Sequence, residues 1–166
     1  MDYLIDWLPK NIPENNELIN KVTIVHGDYR FDNVIFHPTE NKIIAVLDWE
    51  LSTLGNPLAD LGLFSMMYHV SPNFYLPGLG FFDKEMSGIP TEFKNRDNYF
   101  DFAKLSRDAI NEKDWSFILA VTFFKNVGIA QGVYKRALMG TASSTRGANF
   151  LPVVKYCAKI CRQISQ

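Results

Sequence analysis

Cysteine is nearly absent from this sequence. Only Cys157 and Cys161 occur in 166 residues, and with no third or fourth ligand near them a redox or metal pair is disfavoured. Set four apart, they stack on one face of a helix as two small buried hydrophobes. An excess of charge of one sign is also lacking, because 17 Lys and Arg stand against 18 Asp and Glu, a net charge of -1. No basic cluster of the kind that tracks a phosphate backbone is present, which argues against nucleic acid as a partner. Long apolar runs are missing too. The longest, Trp115 to Phe124, is too short to span a bilayer and ends at Lys125 and Asn126, so no membrane partner is expected. The beginning, MDYLIDWLPKN, is acidic and broken by Pro9, unlike a secretory signal or an Arg-rich transit peptide. Internal repeats and low-complexity tracts are absent. What is present is 47% hydrophobic residues, enough for one full core and a single domain over residues 1–166. The expected setting is intracellular and reducing. The final ISQ is not the peroxisomal tripeptide, and the sequence does not resolve cytoplasmic, mitochondrial and peroxisomal locations.

Along the chain, residues 2–8 read as the tail of a helix, and the polar stretch 13–21 as the cap of a second short one. The β-branched run Val22–Val25 predicts a short strand. Asn33–Phe36, the turn residues PTENK and the run IIAVL at 43–47 predict a hairpin. From Pro57 the texture becomes helical, with Pro57 suited to a first turn. Residues 71–90, rich in proline, glycine and aromatics, read as a long ordered loop. Helices are then expected over 91–106, 114–139 and 149–165. The middle one has Asp114 as N-cap and Gly140 as stop, is apolar around most of its circumference, and should be central and buried.

Between the first two strands stands VHGDYRFDNVIF, residues 25–36. A tight connection needs one or two of these polar residues, Gly27 with Asp28 or Asp32 with Asn33, and the rest require another reason. Phosphoryl transfer supplies one. It needs a carboxylate to orient the attacking hydroxyl and accept its proton, and oxygen ligands for Mg²⁺ on the nucleotide phosphates. The protein-kinase catalytic loop has His, Asp and Asn at the spacing of His26, Asp28 and Asn33, with Gly27 where the kinase Arg would be. A second metal-holding Asp belongs at the end of the next hairpin, and Asp48 in VLDWE is there. Arg30 lies within reach of the transferring phosphate, where its charge would offset that of the transition state, although a solvated surface Arg is an equal reading. Asp60, early in the next helix, fits a brace for the loop better than a chemical role. Trp49 and Glu50 stand where kinases have Phe and Gly, so the switch behaviour tied to that Gly is not expected.

HGDYRFDN followed by AVLDWELSTLGNPLADL resembles the aminoglycoside phosphotransferase-like family of kinases. More narrowly, together with QGVYKRALMGTASS at 131–144, it resembles the kinase-like domain of acyl-CoA dehydrogenase family members ten and eleven. The resemblance implies an α+β fold, the mostly helical C-terminal lobe of the protein-kinase-like fold with a small β-hairpin carrying the site. It implies ATP- and Mg²⁺-dependent phosphorylation of a small-molecule hydroxyl, with Asp28 as base and Asn33 and Asp48 as Mg²⁺ ligands contacting the nucleotide. For this subfamily the implied acceptor is a hydroxyacyl group, such as one carried on coenzyme A. The family's N-terminal nucleotide lobe has a Gly-rich loop, a strand Lys and a helix Glu, none of which precedes His26. Gly78 and Gly80 come too late to form that loop. The chain therefore reads as a truncated piece, a split gene product or a short isoform whose missing lobe acts in cis or in trans. Two other readings remain. One is a non-catalytic binding module derived from the kinase lobe. The other is a hydrolase using His26, Asp28 and Asp48 around a metal-bound water, or a glycosidase using Asp48 and Glu50; His37 and His69 have no ligand-like companions to support it.

Overall fold

β-branched residues concentrate before Gly55 and helix formers after Pro57, and the computed structural model divides at the same place. It describes residues 2–14, 17–74, 77–80, 88–141, 147 and 150–165. The result is an α+β arrangement of two small antiparallel ribbons and a mostly helical body. The expected hairpin forms from β2 (Val34–Phe36) and β3 (Ile43–Val46), pairing Val34 with Val46 and Ile35 with Ala45, with an irregularity between Ile35 and Phe36. In its turn, His37 Nδ1 accepts from the Thr39 and Glu40 amides. The first strand, β1 (Thr23–Val25), does not join that hairpin. It pairs antiparallel with β4 (Thr53–Gly55), a three-residue strand that the sequence reading assigned to no element.

Helix α1 (Asp2–Trp7) runs into a 3₁₀ turn at Leu8–Lys10. The second short helix expected at 13–21 does not form among the described residues. Residues 17–20 make a turn, and its Leu18 and Ile19 carbonyls accept from the Asn56 amide nitrogen. The other side of Asn56 caps α2 (Leu58–Ser65): its Oδ1 accepts the Leu58 N–H at 2.7 Å. Pro57 lies at the N-cap position rather than inside the first turn. A 3₁₀ turn, Met66–His69, follows. Helix α3 (Glu92–Phe102) starts at Thr91, whose hydroxyl accepts from the Lys94 N–H. Helix α4 (Glu112–Leu138) starts two residues earlier than its predicted boundary. Its N-cap is Asn111, accepting from the Asp114 N–H at 2.8 Å, because Asn at that position satisfies a free first-turn donor. Gly140, at φ +68°, lies just beyond its end. Helix α5 (Leu151–Ile164) has Pro152 in its first turn and closes the described fold.

Two buried clusters share α4. Ala120, Phe123 and Val127 meet Leu4, Val153, Cys157 and Ile160 on one side, while Trp115, Ile118 and Leu119 meet Leu58, Leu61 and Phe100 on the other. Helices α2 and α4 touch closely at Gly62, where a Cβ would fall 2.9 Å from both Ile118 Cγ2 and Thr122 Oγ1. By length and composition α4 could also cross a membrane, but in this fold it is the helix around which the core is built. Its burial is less complete than the sequence implies. Leu119, Phe123, Val127 and Ala130 are buried and Phe117 and Phe124 half-buried, whereas Val121 is exposed on an open strip with Lys125 and Ile129. Cys157 and Cys161 are buried, as expected of small hydrophobes, and burial pushes the Cys157 thiol up to about 11 and the Cys161 thiol to about 12.

Truncating fully buried Phe123 to Ala should cost about 3–5 kcal/mol. Val121→Ala, on the open strip, should stay within about 0.5 kcal/mol. Urea denaturation checks both, and equal losses would contradict the packing described.

Candidate active site

The two ribbons determine where the polar residues meet. Each ribbon sends one strand into the other: residues 26–33 link β1 to β2, and residues 47–52 link β3 back to β4. The two connections are hydrogen-bonded to each other at Leu47. Its N–H donates to the Asn33 carbonyl at 2.8 Å, and its carbonyl accepts from His26 Nε2 at 2.7 Å. Asp48 follows immediately in the chain, so the residue before it is tied to the 26–33 loop through both of its backbone groups.

Asp60 supplies the next constraint. From the first turn of α2, its carboxylate accepts the His26 N–H at 2.7 Å on one oxygen and the Gly27 N–H at 2.9 Å on the other. The sequence expectation of a brace is met in geometry, by backbone donors that no ladder uses. Gly27 sits at φ +84°, and a Cβ there would lie 2.6 Å from the Leu51 carbonyl oxygen, so glycine is required on two counts. His26 is 3% exposed. Its Nδ1 accepts the Asp28 N–H at 3.2 Å, which places the ring proton on Nε2 for Leu47 and selects the neutral tautomer. The Trp49 ring packs on the imidazole with centroids 4.7 Å apart, so the Trp in place of the kinase Phe covers the loop's anchor.

The four candidate chemical residues lie around this frame. Asn33 donates through Nδ2 to the Asp28 carbonyl at 2.8 Å and to the Asp28 carboxylate at 3.1 Å, which leaves its Oδ1 as the atom for a cation. Arg30 is half exposed, with Nε 3.5 Å from the Asp28 carboxylate and 3.8 Å from that of Asp32. It is therefore drawn toward the loop's carboxylates rather than into bulk solvent. Asp48 adopts φ 64°, ψ 53°, the left-handed region that Asp tolerates better than most residues, and its side chain makes no capping bond to the turn it precedes. Its exposed carboxylate is left for another partner. The oxygens of Asn33 and Asp48 are hard donors suited to Mg²⁺, an ion that keeps water and substrate phosphates as its remaining ligands. Among the described residues no group of three or more His, Cys, Asp and Glu is placed to hold a metal ion. Gly78 and Gly80 pack against the Val70 carbonyl.

Beside the loop lies a cavity of about 850 Å³, bordered by His26, Tyr29 and Arg30 and walled by apolar groups including Ile24, Val46 and Phe64. Asp60 is a carboxylate in its wall, and that carboxylate is committed to backbone donors. Burial, then the negative charge of Asp60, raises the phenol of neighbouring Tyr99 above its ordinary value, so Tyr99 is neutral in this wall. Sequence reasoning missed one contact: Lys125 Nζ, from the middle of α4, donates to the Gly27 carbonyl at 3.1 Å. A separation of 98 residues carries no local signal for it.

Ribbons leading into a helical body, with His, Asp, Asn and Asp in kinase order on two interlocked connections, define a kinase-like phosphotransferase class. The phosphotransferase enzyme family matches residues 1–83, half of the 166 residues, and the chain belongs to that family. Over all 166 residues it is 42% identical to acyl-CoA dehydrogenase family member 11 of Pongo abelii and 41% identical to that of Homo sapiens. It is also 42% identical, over 146 residues and 87% of its length, to acyl-CoA dehydrogenase family member 10 of Mus musculus, of which it covers 13%. The chain spans 20% of the length of the two family member 11 relatives. A crystal structure described as an aminoglycoside phosphotransferase from Ralstonia eutropha superposes with a TM-score of 0.89 at 40% identity, over 99% of this chain and 48% of that one.

Removing the Asp60 carboxylate leaves the His26 and Gly27 amides without partners. Asp60→Ala should therefore destabilise by about 1–3 kcal/mol and speed amide exchange at residues 26–28 more than in α5. Exchange that rises equally in both places would contradict a local brace.

Proposed function

We propose that this chain is the C-terminal lobe of an ATP- and Mg²⁺-dependent small-molecule kinase. The observation that carries the reading is the bonding of Asp28 to Asn33, and of Asn33 to Leu47 beside Asp48, on a loop held by Asp60. In the reaction, Asp28 orients the acceptor hydroxyl and takes its proton as the oxygen attacks the γ-phosphorus. The bond from that phosphorus to the β-phosphate oxygen breaks, and ADP leaves. Asn33 Oδ1 and the Asp48 carboxylate would hold Mg²⁺, whose charge neutralises the phosphates when it is bound. Arg30, free to swing from the Asp28 carboxylate, adds positive charge beside the transferring group.

The proposed acceptor is the hydroxyl of a hydroxyacyl group such as a hydroxyacyl-CoA. The apolar cavity next to Arg30 suits an acyl chain, and its Asp60 carboxylate is already committed, which disfavours a polycationic amino sugar. The names of the relatives, acyl-CoA dehydrogenases, agree in chemical class.

The Gly-rich loop, strand Lys and helix Glu that cradle the nucleotide are assigned to polypeptide outside this sequence, joined in cis or supplied as a second chain. Two facts support this. The chain corresponds to 48% of the solved phosphotransferase, and the ribbons leave Ile24, Ile35, Ile44 and Leu54 exposed, apolar side chains of the kind that mark an interaction surface when they cluster. Without that lobe catalysis loses most of its positioning.

The 166 residues alone should bind ATP·Mg weakly and phosphorylate almost nothing, and adding the lobe should restore turnover that Asp28→Asn abolishes. Calorimetry and a radiolabelled ATP assay with hydroxyacyl-CoA and aminoglycoside acceptors provide the check. Restored turnover that survives Asp28→Asn would remove Asp28 as base, and preference for the amino sugar would remove the acyl acceptor.

A further inference from the structure

The peptide unit between Gly27 and Asp28 is held at both ends by side chains. Its N–H, on Asp28, donates to His26 Nδ1 at 3.2 Å, and its carbonyl oxygen, on Gly27, accepts from Lys125 Nζ at 3.1 Å. His26 is buried and belongs to the loop itself. Lys125 comes from the opposite direction, on the open strip of α4, whose inner face is locked into both core clusters. One of the longest-range side-chain bonds in the fold therefore ends one residue before the carboxylate proposed as base. Among the described residues no carboxylate is ion-paired with Lys125, so its charge and its other N–H groups are not used elsewhere.

We infer that Lys125 is a positioning residue for phosphoryl transfer: it fixes the orientation of the Gly27–Asp28 peptide and thereby the direction in which the Asp28 carboxylate points. The inference rests on the kinase reading for its catalytic consequence, but the structural tie stands independently of it. Gly27 explains why such a tie is needed. A residue at φ +84° without a side chain has wide intrinsic backbone freedom, and rotation of its peptide would swing Asp28. Asp60 restrains the amide of Gly27 and not its carbonyl, so Lys125 holds the group that Asp60 leaves free. An exposed hydrogen bond of this kind adds little to global stability, because water competes for both partners. Its effect is on geometry, where small misplacements of reacting groups are costly.

The test uses the chain with the nucleotide lobe supplied, carrying Lys125→Met or Lys125→Arg. Lys125→Met should leave the thermal midpoint unchanged, speed amide exchange at Asp28 while α5 stays protected, and lower kcat about tenfold or more with the KM for ATP unchanged. Lys125→Arg, which keeps a cationic donor, should recover slow exchange and most of kcat. If the wild type shows no turnover even with the nucleotide lobe supplied, the kinase reading fails while the exchange comparison still decides the tie. Unchanged exchange in Lys125→Met overturns the inference, as does exchange that rises throughout the chain. A wild-type kcat in that variant overturns it too.

Discussion

The carboxylate of Asp60 is the interaction on which the rest of the site depends. One side chain from the start of α2 accepts two consecutive backbone N–H groups, those of His26 and Gly27, and so converts a flexible, glycine-containing connection into a defined one. Once those amides are fixed, the imidazole of His26 lies between the Asp28 N–H and the Leu47 carbonyl, and the second connection is fastened to the first. The carboxylate is bound to the helical body through Leu58 and Leu61, which flank it in α2 and lie in the core shared with α4. Rigidity therefore passes from the packed core to the loop chiefly through the Asp60 carboxylate, with Lys125 of α4 as a second tie.

This arrangement explains how two ribbons too short to be stable alone can carry a site. Isolated two-stranded ribbons are marginal in water, and here each contributes three or four residues per strand. What keeps them in place is the interlocking of their connections and the bonds to α2 and α4, while their outer apolar residues remain open to a further surface. The apolar cavity lies beside the same loop, and Ile24 of β1 is both exposed and part of its wall.

Much of this was legible in the sequence because the relevant signals are local. His26, Asp28 and Asn33 fall within eight residues, Asp48 follows the hairpin that its β-branched, turn and apolar residues announce, and the switch to helical periodicity at Pro57 is abrupt. Asp60 could be read as a brace because an acid in a first helical turn is disposed toward backbone donors. What escaped depends on tertiary partners. Strand β4 exists because β1 pairs with it, and Thr53–Gly55 has no periodicity of its own. The turn at 17–20 is fixed by the Asn56 side chain, and the start of α4 by Asn111 rather than the equally eligible Asp114. Lys125 reads in sequence only as the charge that ends an apolar run; its contact with Gly27 follows from where α4 lies across the core.

The central claim is that Asn33 and Asp48 hold the metal of a nucleotide complex beside Asp28. Titrating isotopically labelled protein with Mn²⁺·ATP and following paramagnetic broadening of amide signals tests this most directly. The account predicts the earliest broadening at Asp28, Asn33 and Asp48, lost there in Asp48→Ala, with the amides of α5, which lines no part of the cavity, broadened last. Broadening centred elsewhere, or unchanged by Asp48→Ala, would contradict it.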